Sequence, residues 1–253
     1  MKTILGAVLS VLLTIAGAQA AELHVATSGG FSAALKNLAP VYEKQTGDRL
    51  VLVFGPSMGT TPNTVPNRLA RGEKLDAVVI VGYALDGLIK QGKVRPDSKV
   101  DLAKSGIAVA VRHGAPHPDI STVAALKQTL LDAKSIAYSD SASGVYISTE
   151  MFRKMGIADA LAGKSHMIPA TPVGEIVAKG EAEIGFQQAS ELKPIQGIDI
   201  VGPVPEALQK YTVFAGGVVA SSAHQADAAR LLRFLSGPEA RQAVIDSGMT
   251  PIP

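Results

Sequence analysis

From residue 22 onward, short apolar runs alternate with longer segments whose apolar residues recur every three or four positions. Leu23 to Thr27 is a run of the first kind and stops at Ser28-Gly29-Gly30. Phe31 to Gln45 then sets Leu35, Leu38 and Tyr42 on one helical face, and Gly47 supplies the stop. The same unit recurs twice. Asp48 to Phe54 predicts a strand ending at Gly55-Pro56-Ser57-Met58-Gly59 ahead of a helix at Val65 to Arg71, and Ala77 to Val81 predicts a strand ahead of a helix at Ala84 to Gln91. Further strands are predicted at Ile107 to Arg112, Ser135 to Tyr138, Ile184 to Gln187, Ile198 to Val201 and Thr212 to Ala220. Helices are predicted at Ser121 to Asp132, Val145 to Met155, Val173 to Lys179, Ala226 to Leu235 and Pro238 to Ser247.

Strands that are apolar on nearly every position are buried on both faces, and their alternation with helices predicts an α/β protein whose sheets are mostly parallel and flanked by helices. The pattern divides into two lobes, one from 21–104 and 212–253 and the other from 105–211, with the chain crossing near Lys104 and near Tyr211. One continuous domain is the alternative. Ligands of such sheets sit beyond the carboxyl ends of the strands, where this chain places its Ser/Gly turns.

Before the first strand, Met1-Lys2-Thr3 leads into an apolar run from Ile4 to Ile15, too short to span a bilayer, and then into Ala16-Gly17-Ala18-Gln19-Ala20. This predicts a signal peptide over 1–20, cleaved after Ala20, and hence a periplasmic protein. The absence of cysteine excludes disulfides and thiolate metal sites. A formal charge of +2 with no basic stripe argues against a nucleic-acid partner. Aromatic residues at 4% with no Trp argue against stacking on sugars or bases, which leaves a small polar ligand. No cysteine nucleophile and no H-E-x-x-H or G-x-G-x-x-G order is present, so thiol-hydrolase, zinc-hydrolase and dinucleotide sites are not expected, nor is any metal or cofactor. A monomer is the expected state.

The chemistry concentrates in three turns: Ser28-Gly29-Gly30, Ser57-Met58-Gly59 and Ser141-Ala142-Ser143-Gly144. Small residues let backbone approach a ligand, helix starts offer free N–H groups, and serine hydroxyls add donors, which together make a cradle for an anion. The competing explanation is that each serine only caps its helix.

The runs Val25 to Phe31, Tyr42 to Gly47, Val53 to Gly59 and Arg68 to Gly72, followed by Gly144-Val145-Tyr146 and Glu181 to Phe186, resemble the periplasmic molybdate-binding proteins over essentially the whole mature chain. The resemblance implies a two-lobed type II periplasmic binding-protein fold holding an oxyanion between its lobes, with Ser28 and Ser57 at the family's serine positions. It also implies an ABC permease as partner if the chain serves transport. The sequence departs from that pattern at Pro56 and Met58, in the added stretch Thr60 to Pro66, and at Gln187, which stands where the family carries a tyrosine. These departures resemble the branch that interconverts trans- and cis-aconitate, a change that moves a proton along an allylic system. Under that resemblance the substrate-binding set is Ser28, Gly29, Ser57, Met58, Arg68, Ser143, Gly144, Tyr146 and Gln187. The catalytic candidates are Tyr146 and Glu150, with Asp140 and the histidines behind them.

Overall fold

The computed structural model describes residues 20–252, so the signal peptide expected over 1–20 lies almost wholly outside the described residues. Eleven strands are described: β1 (Glu22–Thr27), β2 (Arg49–Phe54), β3 (Ala77–Val81), β4 (Val100–Ser105), β5 (Ile107–Arg112), β6 (Ile136–Ser139), β7 (Ser165–Ile168), β8 (Ile184–Gln188), β9 (Ile198–Pro203), β10 (Thr212–Val218) and β11 (Thr250–Pro251). They form a six-stranded sheet in the order β11-β4-β10-β3-β1-β2 and a five-stranded sheet in the order β7-β6-β8-β5-β9.

Parallel pairing holds where a helix returns the chain, at β1/β2, β1/β3, β6/β7 and β6/β8. Elsewhere the sheets are antiparallel: β10 runs against β3 and β4, and β5 runs against β8 and β9. The sheets are therefore mixed rather than mostly parallel. Parallel neighbours need a crossover of a dozen or more residues, whereas β4 and β10 are each one step from the passage between sheets.

Both sheets are covered on both faces. On one face of the six-stranded sheet, Phe31, Leu35, Leu38 and Tyr42 of the helix Gly29–Thr46 pack with Leu231, Leu232 and Leu235 of the helix Gln225–Ser236. On the other face, Val65, Leu69, Leu85 and Leu88 pack against Val78 and Ile80. In the five-stranded sheet, Ile107, Val109, Tyr138 and Phe186 bury against Leu126, Leu130, Ile147 and Met151. The helix predicted over 145–155 is one continuous rod from Ala142 to Lys154 with a π turn at Ile147–Met151.

The chain passes between the sheets twice. Gly106 alone separates β4 from β5, and residues 204–211 join β9 to β10. Gln209 fastens one crossing to the other: the Ile107 N–H donates to Gln209 Oε1 at 2.7 Å, and Gln209 Nε2 donates to Ile107 O at 2.9 Å. A hydroxyl pair, Ser190 and Ser105 at 3.2 Å, adds a second tie across the same seam.

Candidate functional site

A cavity of about 390 Å³ opens at the carboxyl ends of β1, β2, β3, β6 and β8, between the two sheets. The six-stranded side contributes Ser28, Gly29, Ser57 and Met58. The five-stranded side contributes Ser139, Asp140, Ser141, Ala142, Gln187, Gln188 and Glu191. The three Ser/Gly turns read from the sequence thus meet in one cleft, as the position of ligands in α/β sheets requires.

Capping does not explain the serines at the helix starts. Ser28 occupies the N-cap position of the helix Gly29–Thr46 in extended backbone (φ −91°, ψ 164°), yet its side chain makes no capping bond. Its Oγ is buried with no protein partner. Ser141, at the N-cap of the helix Ala142–Tyr146, likewise makes no cap and shares a hydrogen bond with the Ser139 hydroxyl at 2.7 Å. Thr64 and Thr122, away from the ordered Ser/Gly turns, do cap, accepting from Asn67 N at 3.3 Å and Ala125 N at 3.0 Å. Ser57 Oγ accepts from Val81 N at 3.0 Å, which pins the second turn to the end of β3.

The opposite wall is built from the end of β8 and the short helix after it. Gln187 Oε1 accepts from Val173 N at 2.9 Å, fixing the side chain and leaving its amide N–H groups as donors. Gln188 Nε2 donates to Thr212 Oγ1 at 2.8 Å, and its Oε1 is buried without a partner. Glu191, on the helix Ala189–Leu192, reaches across to the start of the helix Gly29–Thr46, so close that a methyl group on Gly29 would collide with Glu191 Oε1. The other carboxylate oxygen, Oε2, is buried and unpartnered. Burial pushes the Glu191 carboxyl up to about 7, a hydrogen bond from Gln187 opposes the rise, and the Asp140 charge adds to it. Ala170 in the same wall holds φ at 57°, the one non-glycine residue in left-handed backbone among the described residues.

The remaining expected residues lie elsewhere. Arg68 spends its guanidinium on Glu73, at 2.8 and 3.0 Å, and on the carbonyl of Asn63 at 3.0 Å, so it steadies the loop that carries Asn63 to the cleft and does not face the cleft itself. Ser143 is buried behind the wall, 3.3 Å from the Ser139 hydroxyl, and Gly144 is required because any side chain would strike Ser139 O. Tyr146 and Glu150 line an adjoining pocket with Ser143 and Lys210. There Tyr146 Oη donates to Leu208 O at 2.8 Å, and Glu150 pairs with Lys210 at 3.1 Å, so both hold the 204–211 crossing to the five-stranded side. Glu191 and Lys36 were not singled out from the sequence. The available signal for Glu191 was its place one turn beyond the carboxyl end of a buried strand.

The family of bacterial extracellular solute-binding proteins matches residues 23–250, a span that includes every residue of the cleft. The chain belongs to that family. Within it, this member is 50% identical over 250 residues to the aconitate isomerase of a Pseudomonas species, covering 98% of this chain and 95% of the relative. It is 25% identical to a molybdate-binding protein of Azotobacter vinelandii over 92% of this chain and 91% of that one. Among solved structures, the periplasmic molybdate-binding protein of Azotobacter vinelandii superimposes with a TM-score of 0.73 at 21% identity, covering 91% of this chain and 99% of that chain, which fixes the two-lobed fold.

Proposed function

We propose that the protein is a periplasmic isomerase that interconverts trans- and cis-aconitate by allylic proton transfer in the cleft, acting as a monomer on a small anionic substrate, with its signal peptide cleaved after Ala20. The observation that carries this reading is the 50% identity, over almost the full length of both chains, to an aconitate isomerase. The cleft's chemistry agrees with it. A tricarboxylate needs several donors spread over a flat surface, and the walls offer serine hydroxyls, glutamine amides, the N–H groups at the start of the helix Gly29–Thr46, and one cation, Lys36. Donors aimed at a carboxylate also lower the energy of the dienolate that forms when the neighbouring methylene loses a proton. A cavity of about 390 Å³ lies within the range that encloses a small organic ligand.

The family's solute-binding role supports a second reading, in which the chain delivers an oxyanion or carboxylate to an ABC permease. One experiment separates the two. Purified mature protein is incubated with trans-aconitate and the vinyl protons are followed by NMR; the expected result is the catalytic appearance of cis-aconitate. Tight binding of aconitate or molybdate with unchanged spectra over hours would instead make the protein a carrier.

A further inference from the structure

We propose that Glu191 is the group that takes the proton from the methylene carbon of the substrate and returns it at the far end of the allylic system. The assignment rests on the aconitate reading above and names the residue that reading leaves open. Three observations carry it. Glu191 is a cleft-lining carboxylate, and one of its oxygens, Oε2, is buried without a hydrogen-bond partner, so it keeps an uncommitted basic lone pair. Its other oxygen is packed against Gly29, at the start of the 18-residue helix whose free N–H groups would receive the substrate carboxylate. That places the base directly beside the charge-stabilising donors, on the lining of the same cleft. Of the other charged side chains lining the cleft, Asp140 is exposed, and Lys36 is a cation stacked 4.7 Å from the Phe54 ring centroid. Burial also holds the Glu191 carboxyl near neutrality, where a carboxylate is both partly ionised and basic enough to act.

The step balances without a co-reactant. A C–H bond at the methylene breaks, an O–H bond forms on Glu191, and the electron pair spreads over the allylic carbons and the adjacent carboxylate. The O–H bond then breaks as a new C–H bond forms at the former vinyl carbon, and the double bond stands one bond further along. Ser28 Oγ, buried without a partner beside Gly29, is placed to donate to the dienolate oxygen.

The test compares the wild type with Glu191→Gln and Glu191→Asp, measuring turnover by NMR, aconitate affinity by calorimetry and the pH profile of kcat/KM. Glu191→Gln is expected to lose roughly 10²–10⁴-fold in kcat. It should still bind aconitate as well as or better than the wild type, because a neutral amide keeps the shape and removes a like charge. Glu191→Asp should recover part of the loss. In the wild type, kcat/KM should fall as pH drops through about 7, with the acid limb absent from the Gln variant. If Glu191→Gln fails to fold, the wild-type profile decides alone: a limb near 7 supports the assignment and a flat profile from pH 5 to 8 overturns it. A folded Gln variant that turns over as fast as the wild type overturns the assignment while leaving the aconitate reading intact. A wild type that leaves aconitate unchanged overturns both.

Discussion

Replacing Ser28 with alanine is expected to move stability and affinity in opposite directions. In most helices a serine at the N-cap accepts a hydrogen bond from the first turn, and its loss costs about 1 kcal/mol. Ser28 makes no such bond, and its hydroxyl is buried without a protein partner, so removing it lifts a desolvation penalty of about 1–3 kcal/mol from the free protein. For a chain of this size each kcal/mol corresponds to about 2–4 °C in melting temperature. The free Ser28→Ala protein should therefore melt no lower than the wild type and up to several degrees higher. A hydrogen bond to a charged ligand contributes about 1.5–3 kcal/mol, so the same variant should bind aconitate roughly 10–150-fold more weakly. Thermal melts with and without aconitate, together with calorimetry, read both quantities on one sample. A variant that melts several degrees below the wild type while keeping its affinity would refute the argument, because it would return Ser28 to the role of an ordinary cap.

Other substitutions probe the scaffold and the base. Asp48, buried at 2% side-chain exposure, accepts from Ala21 N at 3.0 Å, Tyr42 Oη at 3.0 Å and Arg230 Nη2 at 2.6 Å. Asp48→Ala should cost about 3 kcal/mol and lower the melting temperature by about 6–12 °C. Burial alone would raise the Asp48 carboxyl, but the bonds from Arg230, Ala21 and Tyr42 outweigh it and leave it lowered. Its contribution should therefore be intact above the ordinary 3.8 and lost on further acidification, as acid titration of wild-type stability would show. Glu191 has the opposite sign, since its raised carboxyl makes the neutral form the favoured one in the fold. Wild-type stability should fall as pH rises from 4.5 to about 7, by an upper limit on the order of 3 kcal/mol, and denaturant titrations of Glu191→Gln should lack that decline. Gly29→Ala drives a methyl group into Glu191 Oε1 and should reduce kcat about 100-fold in a folded protein, read by the NMR assay with a melt as control. Tyr146→Phe removes the bond to Leu208 O and should cost about 1 kcal/mol with aconitate affinity unchanged; a large loss of affinity would place Tyr146 at the ligand.

The sequence made the buried framework plain where local and global signals coincide. β3 and β5 are apolar on nearly every position because both of their faces are covered, and such runs read as strands without ambiguity. β4 escaped notice because Asp101 and Lys104 interrupt it, and Ser165–Ile168 because an edge strand with half its residues exposed carries little apolar pattern. The Ser/Gly turns were legible as a cradle because strand ends mark the crevice in any α/β sheet. What the sequence could not show is how each hydroxyl is used: Ser28 unpartnered, Ser57 spent on Val81 N, Ser143 buried behind the wall. Glu191 was hidden for a related reason. Its character comes from a residue 162 positions earlier, Gly29, whose missing side chain makes room for it.

The Gln209 fastening has a consequence for motion. A glutamine side chain presents the same donor and acceptor as a peptide group, so at Ile107 it completes one rung of strand pairing between two crossings that are otherwise separate connectors. Connectors laced together in this way cannot slide past one another without breaking the rung. A carrier gains from lingering closed, in the form a receptor can recognise. An isomerase must release its product on every cycle, and the two crossings that this rung ties together are the connections about which its lobes would part.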